Sequence, residues 1–346
     1  MTANVPDTPE LRDFYTRLPA HSLAPLWTVL SSLITPTPQS RCVPAVWHYD
    51  QVRPLIMESG ELITAMQAER RVLILENPGL SGESRITETL YAGLQLILPG
   101  EIAPAHRHTQ SALRFIVEGG GAFTAVDGEK TIMEEGDFVI TPSWAWHDHG
   151  NDSDEPMVWL DGLDIPLVKS LDASFFEKYP DDVFPQSRPE GDALARYGSG
   201  LLPEGYEEVS KTSPVFNYPY ARTRAALDRM RVSEQWDSCH GLKSRYVNPV
   251  TGDHAMPTMA TNMQLLPKEF ETAGYRSTDA TVFSVVEGAG YSNVGETRIE
   301  WSRRDTFVVP SWVEVQHFAA EDSYLFSFSD RPVQEKLGLW RELRGD

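Results

Sequence analysis

The chain has 346 residues, of which 41% are hydrophobic and 23% charged, a balance that supplies a substantial folded core and excludes wholesale disorder. Its formal charge of −20 excludes the usual electrostatic basis of nucleic-acid binding, which needs clustered Lys and Arg against the phosphates. No stretch approaches the roughly 18 to 20 apolar residues that cross a bilayer, and the start, Met1-Thr-Ala-Asn-Val-Pro-Asp-Thr-Pro-Glu, lacks the basic and apolar run of a signal peptide. The expectation is therefore a soluble cytoplasmic protein with no membrane partner, in which Cys42 and Cys239 are buried thiols in no metal or redox spacing.

Residues 1–70 read as an N-terminal helical arm. Asp7-Thr8-Pro9-Glu10 is an N-cap with proline in the first turn, followed by Leu11, Phe14, Tyr15 and Leu18 at helical spacing. Leu23–Ile34 and Tyr49–Ala68 continue in that style, broken by Pro36-Thr-Pro38 and by Gly60. Such arms commonly carry subunit contacts.

From residue 71 the texture changes to short β runs. In Thr87 to Pro99 the leucines 94, 96 and 98 alternate with Gly93, Gln95 and Ile97, so Gln95 faces away from the leucines. Strands are expected at 113–118, 122–126, 137–141 and 157–163, separated by glycine turns, as in a small barrel over residues 71–165.

Four of the nine histidines fall in the middle of this region, in Gly100-Glu-Ile-Ala-Pro-Ala-His106-Arg-His108 and Gly136-Asp-Phe-Val-Ile-Thr-Pro142-Ser-Trp144-Ala-Trp-His147-Asp-His149-Gly-Asn151. Two histidines at i and i+2 on an extended segment share a face, and a third from a neighbouring strand closes a facial set on one cation. The glycines, the proline and the histidines resemble the two signature motifs of the cupin superfamily. Two positions depart from it. The slot where many cupins place a ligand glutamate is Ala112, and the glycine usual two after Pro142 is Trp144. The expected ligands are then three neutral imidazoles, His106, His108 and His147, leaving open positions that suit a ferrous ion binding a chelating substrate beside dioxygen.

Residues 166–245 are rich in proline and charge and read as a connector, with a helix over Ala221–Val232 whose arginines 222, 224, 229 and 231 form a solvated or paired face. Beyond it the first barrel is echoed. Val117-Glu118-Gly-Gly-Gly121 recurs as Val286-Glu287-Gly-Ala-Gly290, and Val139-Ile-Thr-Pro142-Ser-Trp144 as Val308-Val-Pro310-Ser-Trp312, at offsets of 169 and 168 residues. Residues 246–346 are thus expected to form a second barrel. Tyr275 and Ser277 replace His106 and His108 there, Val315 replaces His147, and His317 stands opposite His149, so the second barrel has no metal site.

Together these features resemble the gentisate 1,2-dioxygenase family of ring-cleaving bicupins. The resemblance implies a mainly β protein of two double-stranded β-helix (jelly-roll) barrels, assembled as a homo-oligomer, commonly a tetramer. It further implies Fe(II) on His106, His108 and His147, and a small aromatic hydroxy-acid substrate and O2 as partners. Gentisate would be converted to maleylpyruvate, with salicylate or 1-hydroxy-2-naphthoate as the alternative substrates. Arg114, an even number of residues past the ligands, would fork onto the substrate carboxylate. His149 and Asp161 would relay protons or orient hydroxyls, although Asp161 beside Gly162 also reads as a turn. Gln95 and Arg70 would line the substrate pocket, and His21, His48, His240 and His254 match no motif. An oxalate-decarboxylase-like bicupin would keep the glutamate ligand and two metal sites, a storage bicupin would lose the histidines, and a cupin regulator would carry a basic DNA-binding segment.

Overall fold

A computed structural model describes residues 6–233 and 235–345. The first five residues of the expected arm, Glu234 of the connector and Asp346 lie outside the described residues. The chain divides into two compact units, one ending at Gln39 and the other beginning at Ser40.

In the first unit the helix Pro9–Arg17 starts as its sequence dictates, with Thr8 as N-cap accepting the Leu11 N–H at 3.2 Å and proline in the first turn. The second helix runs Leu26–Leu33, shorter than the expected span because Pro25 occupies its N-cap. Trp27 Nε1–H donates to the Tyr15 hydroxyl at 2.8 Å and ties the two helices together.

The second unit is mainly β, and its strands pair antiparallel in two pairs of sheets. One pair comprises a six-stranded sheet ordered Asn217–Tyr218, Phe138–Thr141, Ala112–Glu118, Met157–Leu163, Tyr91–Ile97 and Val72–Ile74. Its companion is a five-stranded sheet ordered Phe176–Lys178, Ile102–His108, His147–Asn151, Ala122–Val126 and Glu129–Ile132. The other pair repeats this plan with Ala45–Trp47, Thr306–Val309, Thr281–Glu287, Ser323–Ser329, Ala260–Leu266 and Leu242–Arg245, against Thr297–Ser302, Ala289–Val294, Val315–Ala319, Tyr275–Ser277 and Glu342–Arg344. The fold is a bicupin of two jelly-roll barrels.

The central strands of both six-stranded sheets are buried on both faces, and their alternate residues enter different cores. Val282 and Val286 join one cluster while Phe283 and Val285 join another. The first cluster lies between the barrels, where Phe115 stacks on Phe326 with centroids 4.1 Å apart and an interplanar angle of 6°. Gly162 permits this approach, since a Cβ there would stand 2.9 Å from Phe328 Cε2.

Three local expectations are corrected. Between the helices of the arm, Ala45–Trp47 is a strand paired with Thr306–Val309, because β-formers follow Pro44 and find an open sheet edge in the second barrel. Gly60 does not break a helix but lies within Tyr49–Leu62; a Cβ there would stand 3.0 Å from Leu96 Cδ2, so the glycine allows the helix to sit on its strand. The Asp161-Gly162 pair is strand, not turn.

The helix Tyr220–Ser233 receives its start from the first barrel, with Tyr220 N–H donating to Asp137 Oδ1 at 2.8 Å, and pairs Arg224 with Glu287 of the second at 2.8 Å. Its basic face is paired in part, Arg231 reaching Asp322 at 2.5 Å, while Arg229 is exposed to solvent.

Phe326→Ala removes the ring stacked between the two sheets and should lower unfolding free energy by about 3 to 5 kcal/mol in denaturant titration, the usual cost of deleting a buried phenyl ring. A loss within experimental error would mean that the barrels do not depend on one another through this stack.

Candidate metal centre

Ile102–His108 and His147–Asn151 pair antiparallel, and a register shift between Ala103 and His106 sets His106 directly opposite His147. Opposed residues in such a ladder bring their side chains together on one face, and His108, two residues on, shares it. The ring centroids of His106, His108 and His147 lie 4.5 to 5.4 Å apart. One ligand nitrogen from each falls within 4.8 Å of the other two.

Main-chain carbonyls orient two of the rings. His108 Nδ1 is 2.8 Å from Gln110 O and His147 Nδ1 is 3.0 Å from Ala145 O. A carbonyl can only accept, so each Nδ1 carries the proton and each Nε2 keeps its lone pair for a metal. Burial, reinforced by Arg70, pulls the His106 pKa down to about 2, and burial takes His108 to about 4 and His147 well below the usual histidine value. The donor set is therefore three neutral imidazoles, with Ala112 buried where other cupins carry a carboxylate. The set fits a metal with open coordination positions.

The surroundings hold these strands in register. Phe176–Lys178, contributed by the connector, pairs with the ligand strand, placing Phe176 opposite His108 and Lys178 opposite His106. The Phe176 ring lies 5.1 Å from His106. On the other side the turn after Pro142 brings Trp144 N–H to His108 O at 2.7 Å. Trp144 has φ 65°, so the backbone keeps the left-handed conformation that explains the usual glycine there, and tryptophan bears the strain. Arg107 spans the outside, its guanidinium 4.5 Å from the rings of both Trp144 and Trp146 and paired with Glu177 at 2.5 Å.

Beside the imidazoles lies a buried polar group centred on Arg114. Its Nη1 donates to Thr141 Oγ1 at 2.6 Å and its Nη2 to His149 Nε2 at 2.9 Å, while Nε stands 3.7 Å from Asp161 Oδ1. The arginine fixes His149 as the Nδ1–H tautomer. Arg114 Nε and His149 Nδ1 are buried without a hydrogen-bond partner among the described residues. Burial lowers the Arg114 pKa to about 10 against the pull of Asp161, and raises Asp161 to about 6 against the pull of Arg114. Both remain charged at neutral pH.

The even spacing of Arg114 from His106 and His108 does not put it on their strand. Ile102–His108 and Ala112–Glu118 belong to different sheets. Arg114 still reaches His149 because the two sheets face each other across the barrel. Asp161 and Gln95 lie on a strand pair of the six-stranded sheet, with Asp161 opposite Arg114 and Gln95 opposite Trp159. Trp159 Nε1–H donates to Asp161 Oδ1 at 3.0 Å. Arg70 comes from outside the barrel, anchored through Nη1 to Glu69 O and Pro104 O, and brings Nη2 to 3.4 Å from His106 Nε2. His48 instead pairs with Asp305 and His254 with Glu335, each at 3.0 Å.

Sequence reasoning missed Thr141, which holds Arg114, and Phe176, which packs on His106. Thr141 had a signal in its place just before Pro142; Phe176 had none, being part of a three-residue strand in a proline-rich connector.

Residues 93–163 match the family described as Cupin domain. The chain is 59% identical to Gentisate 1,2 dioxygenase 1 of Aquipseudomonas alcaligenes, over 97% of either chain, and 41% identical to a gentisate 1,2-dioxygenase of Streptomyces sp, over 97% of this chain and 96% of that one. The crystal structure of salicylate 1,2-dioxygenase from Pseudoaminobacter salicylatoxidans with gentisate superposes with a TM-score of 0.94 at 39% identity, covering 99% of this chain and 96% of that one. Likeness of that degree along nearly the whole length, on a bicupin whose first barrel carries three convergent histidines, makes this chain a member of the gentisate 1,2-dioxygenase family.

Proposed function

We propose that the protein opens the ring of gentisate with dioxygen, giving maleylpyruvate, at an Fe(II) centre on His106, His108 and His147. The observation that carries this reading is the juxtaposition of three neutral imidazoles with a buried arginine and no carboxylate ligand. Ferrous iron, when bound, supplies adjacent positions for a chelating hydroxy-acid and dioxygen and a route for electrons between them.

The protein's own groups do the rest. Arg114 uses two of its N–H groups on Thr141 and His149 and keeps the others for the substrate carboxylate. Arg70 adds a second cation at the edge of the triad, with a pKa lowered by burial and by Arg114 to about 9, so it stays protonated at neutral pH. His149 holds a proton at Nδ1 that it can donate to a ring oxygen, and the Asp161 carboxylate beside Arg114 is the group that would take the proton of a ring hydroxyl and return it. Gln95, two residues along its strand from the position opposite Asp161, lines the same face. The reading carries with it a cytoplasmic homotetramer; no described helix is long and apolar enough to cross a membrane. Salicylate is the second reading, supported by likeness to the salicylate 1,2-dioxygenase structure.

One iron per chain is expected by metal analysis, and two tightly held ions would contradict the division between the barrels. His106→Ala, His108→Ala or His147→Ala should each empty the site and abolish activity while leaving the circular dichroism of the fold intact.

Arg114→Ala should retain iron but weaken substrate binding by about 1.5 to 3 kcal/mol, the worth of a charge-assisted hydrogen bond. Arg114→Lys should recover little, because an ammonium cannot reproduce a planar fork. An unchanged KM and kcat for gentisate in the Ala variant would reduce Arg114 to a structural role.

In an oxygen electrode the iron-loaded protein should consume one dioxygen per gentisate without NADH or a reductase, since the substrate itself supplies the electrons. Gentisate should react faster than salicylate because its para hydroxyl enriches the ring. Tight binding of gentisate with no oxygen uptake would remove this reading.

A further inference from the structure

The second barrel lost the metal ligands but kept a concavity in the same place. A cavity of about 280 Å³ opens there, lined by His240, Lys243, Tyr275, Ser277, Asp279 and Arg331. It continues into a narrower pocket that shares the first five of these residues and ends at His317. The register explains the correspondence. Tyr275 pairs with Val315 as His106 pairs with His147, and Gln264, the counterpart of Gln95, pairs with Lys243. Strand alternation turns Leu242 and Leu265 toward the core between the barrels and Lys243 and Gln264 toward the cavity.

The charges in this cavity are unevenly committed. Arg331 pairs with Glu335 at 2.7 Å, and Asp279 accepts the Trp340 Nε1–H at 2.9 Å. Arg276, in the narrower pocket, pairs with Glu314 at 3.0 Å, and Arg245, at the exposed edge, donates to Gly252 O. Lys243 alone among these charged side chains has neither an ion-pair partner nor a hydrogen bond among the described residues. Burial pulls its pKa down while Asp279 opposes the shift. His240 and His317 are held neutral by burial, and His317 Nδ1 is occupied by Ser292 Oγ at 2.7 Å. Lys243 is half-buried at the cavity wall, and an anion entering the cavity would give its ammonium the ion-pair partner it lacks.

Aromatic surface lies next to that charge. The His240 and Tyr275 rings meet edge to face at 4.4 Å, and the Phe283 ring, at the position that Arg114 holds in the first barrel, stands 5.2 Å from His317. We propose that this cavity of the second barrel is a binding site for a small aromatic monocarboxylate, whose carboxylate pairs with Lys243 and whose ring lies along His240 and Tyr275. The volume is near the lower end for ligand pockets and suits a single ring.

The probe is 4-bromobenzoate, which lacks the ortho hydroxyl needed to chelate iron. Crystals of the iron-loaded protein soaked with it should show the bromine anomalous signal in the second barrel, with the carboxylate at Lys243. Calorimetry on the same holoenzyme should give binding that Lys243→Met weakens by about tenfold or more, while turnover of gentisate without the probe stays within about twofold. Bromine found only beside His106 and His147, or nowhere, overturns the proposal even if Lys243→Met does not fold. Equal affinity in a folded Lys243→Met variant overturns it as well. Displacement of the probe by acetate or inorganic phosphate at comparable concentration would show recognition of charge alone and overturn the aromatic assignment.

Discussion

The pairing of His106 with His147 is the constraint around which the first barrel is arranged. In an antiparallel ladder a slip of one residue would turn either histidine to the opposite face and scatter the three nitrogens. The register is accordingly fixed at both ends. Gly100 N–H donates to Asn151 O at 2.8 Å and Asn151 N–H to Glu101 O at 3.0 Å, while Asn151 Nδ2 reaches Glu155 O at 2.8 Å. At the other end the Trp144 N–H holds His108 O, and the strand Phe176–Lys178 covers the free edge. The imidazoles meet because the backbone leaves them no other arrangement, so a metal finds its ligands already placed.

The same strands serve two purposes through their alternation. On Ala112–Glu118, Arg114 points into the barrel and Phe115 out onto Phe326, so one strand supplies both the polar group beside the histidines and the apolar contact between barrels. The register makes Ser327 the second-barrel counterpart of Asp161, and Phe283 that of Arg114. The packed faces differ as well, since the same register sets Ser284 in the place of Phe115 and Phe328 in the place of Gly162, so each barrel supplies its large rings where the other is small. The turn after Pro310 keeps its shape even so, with Trp312 at φ 62° and its N–H donating to Ser277 O at 2.7 Å, matching Trp144 and His108.

Much of this was legible in the sequence, for physical reasons that also mark where legibility ended. The ligand triad, the glycine turns and the echo at 169 residues are carried by residue types that few other roles require. Edge strands of two or three residues, such as Ala45–Trp47, Phe176–Lys178 and Asn217–Tyr218, are too short to show a period of two, and their partners lie far away in the chain. Gly60 signals a helix break locally, and only the packing of Leu96 and Leu98 reveals it as a point of close approach. Arg114 reaches His149 from a different sheet, because the geometry that matters is the facing of two sheets. Sequence parity cannot see that.

The electrostatics of the site run against those of the chain. A formal charge of −20 would repel an anionic substrate if it acted at full strength, but exposed charges are screened beyond about 8 Å at physiological ionic strength. Within the barrel the dielectric is low and the count is different. Arg70 and Arg114 face Asp161 and Asp148, and the three ligands are neutral, so an added divalent ion leaves the interior net positive. A carboxylate ligand at Ala112 would cancel part of that charge, and its absence leaves more of the field for an incoming dianion. The surface carboxylates act through screened water, whereas the two buried arginines act through the low dielectric of the barrel and set the sign of the field there.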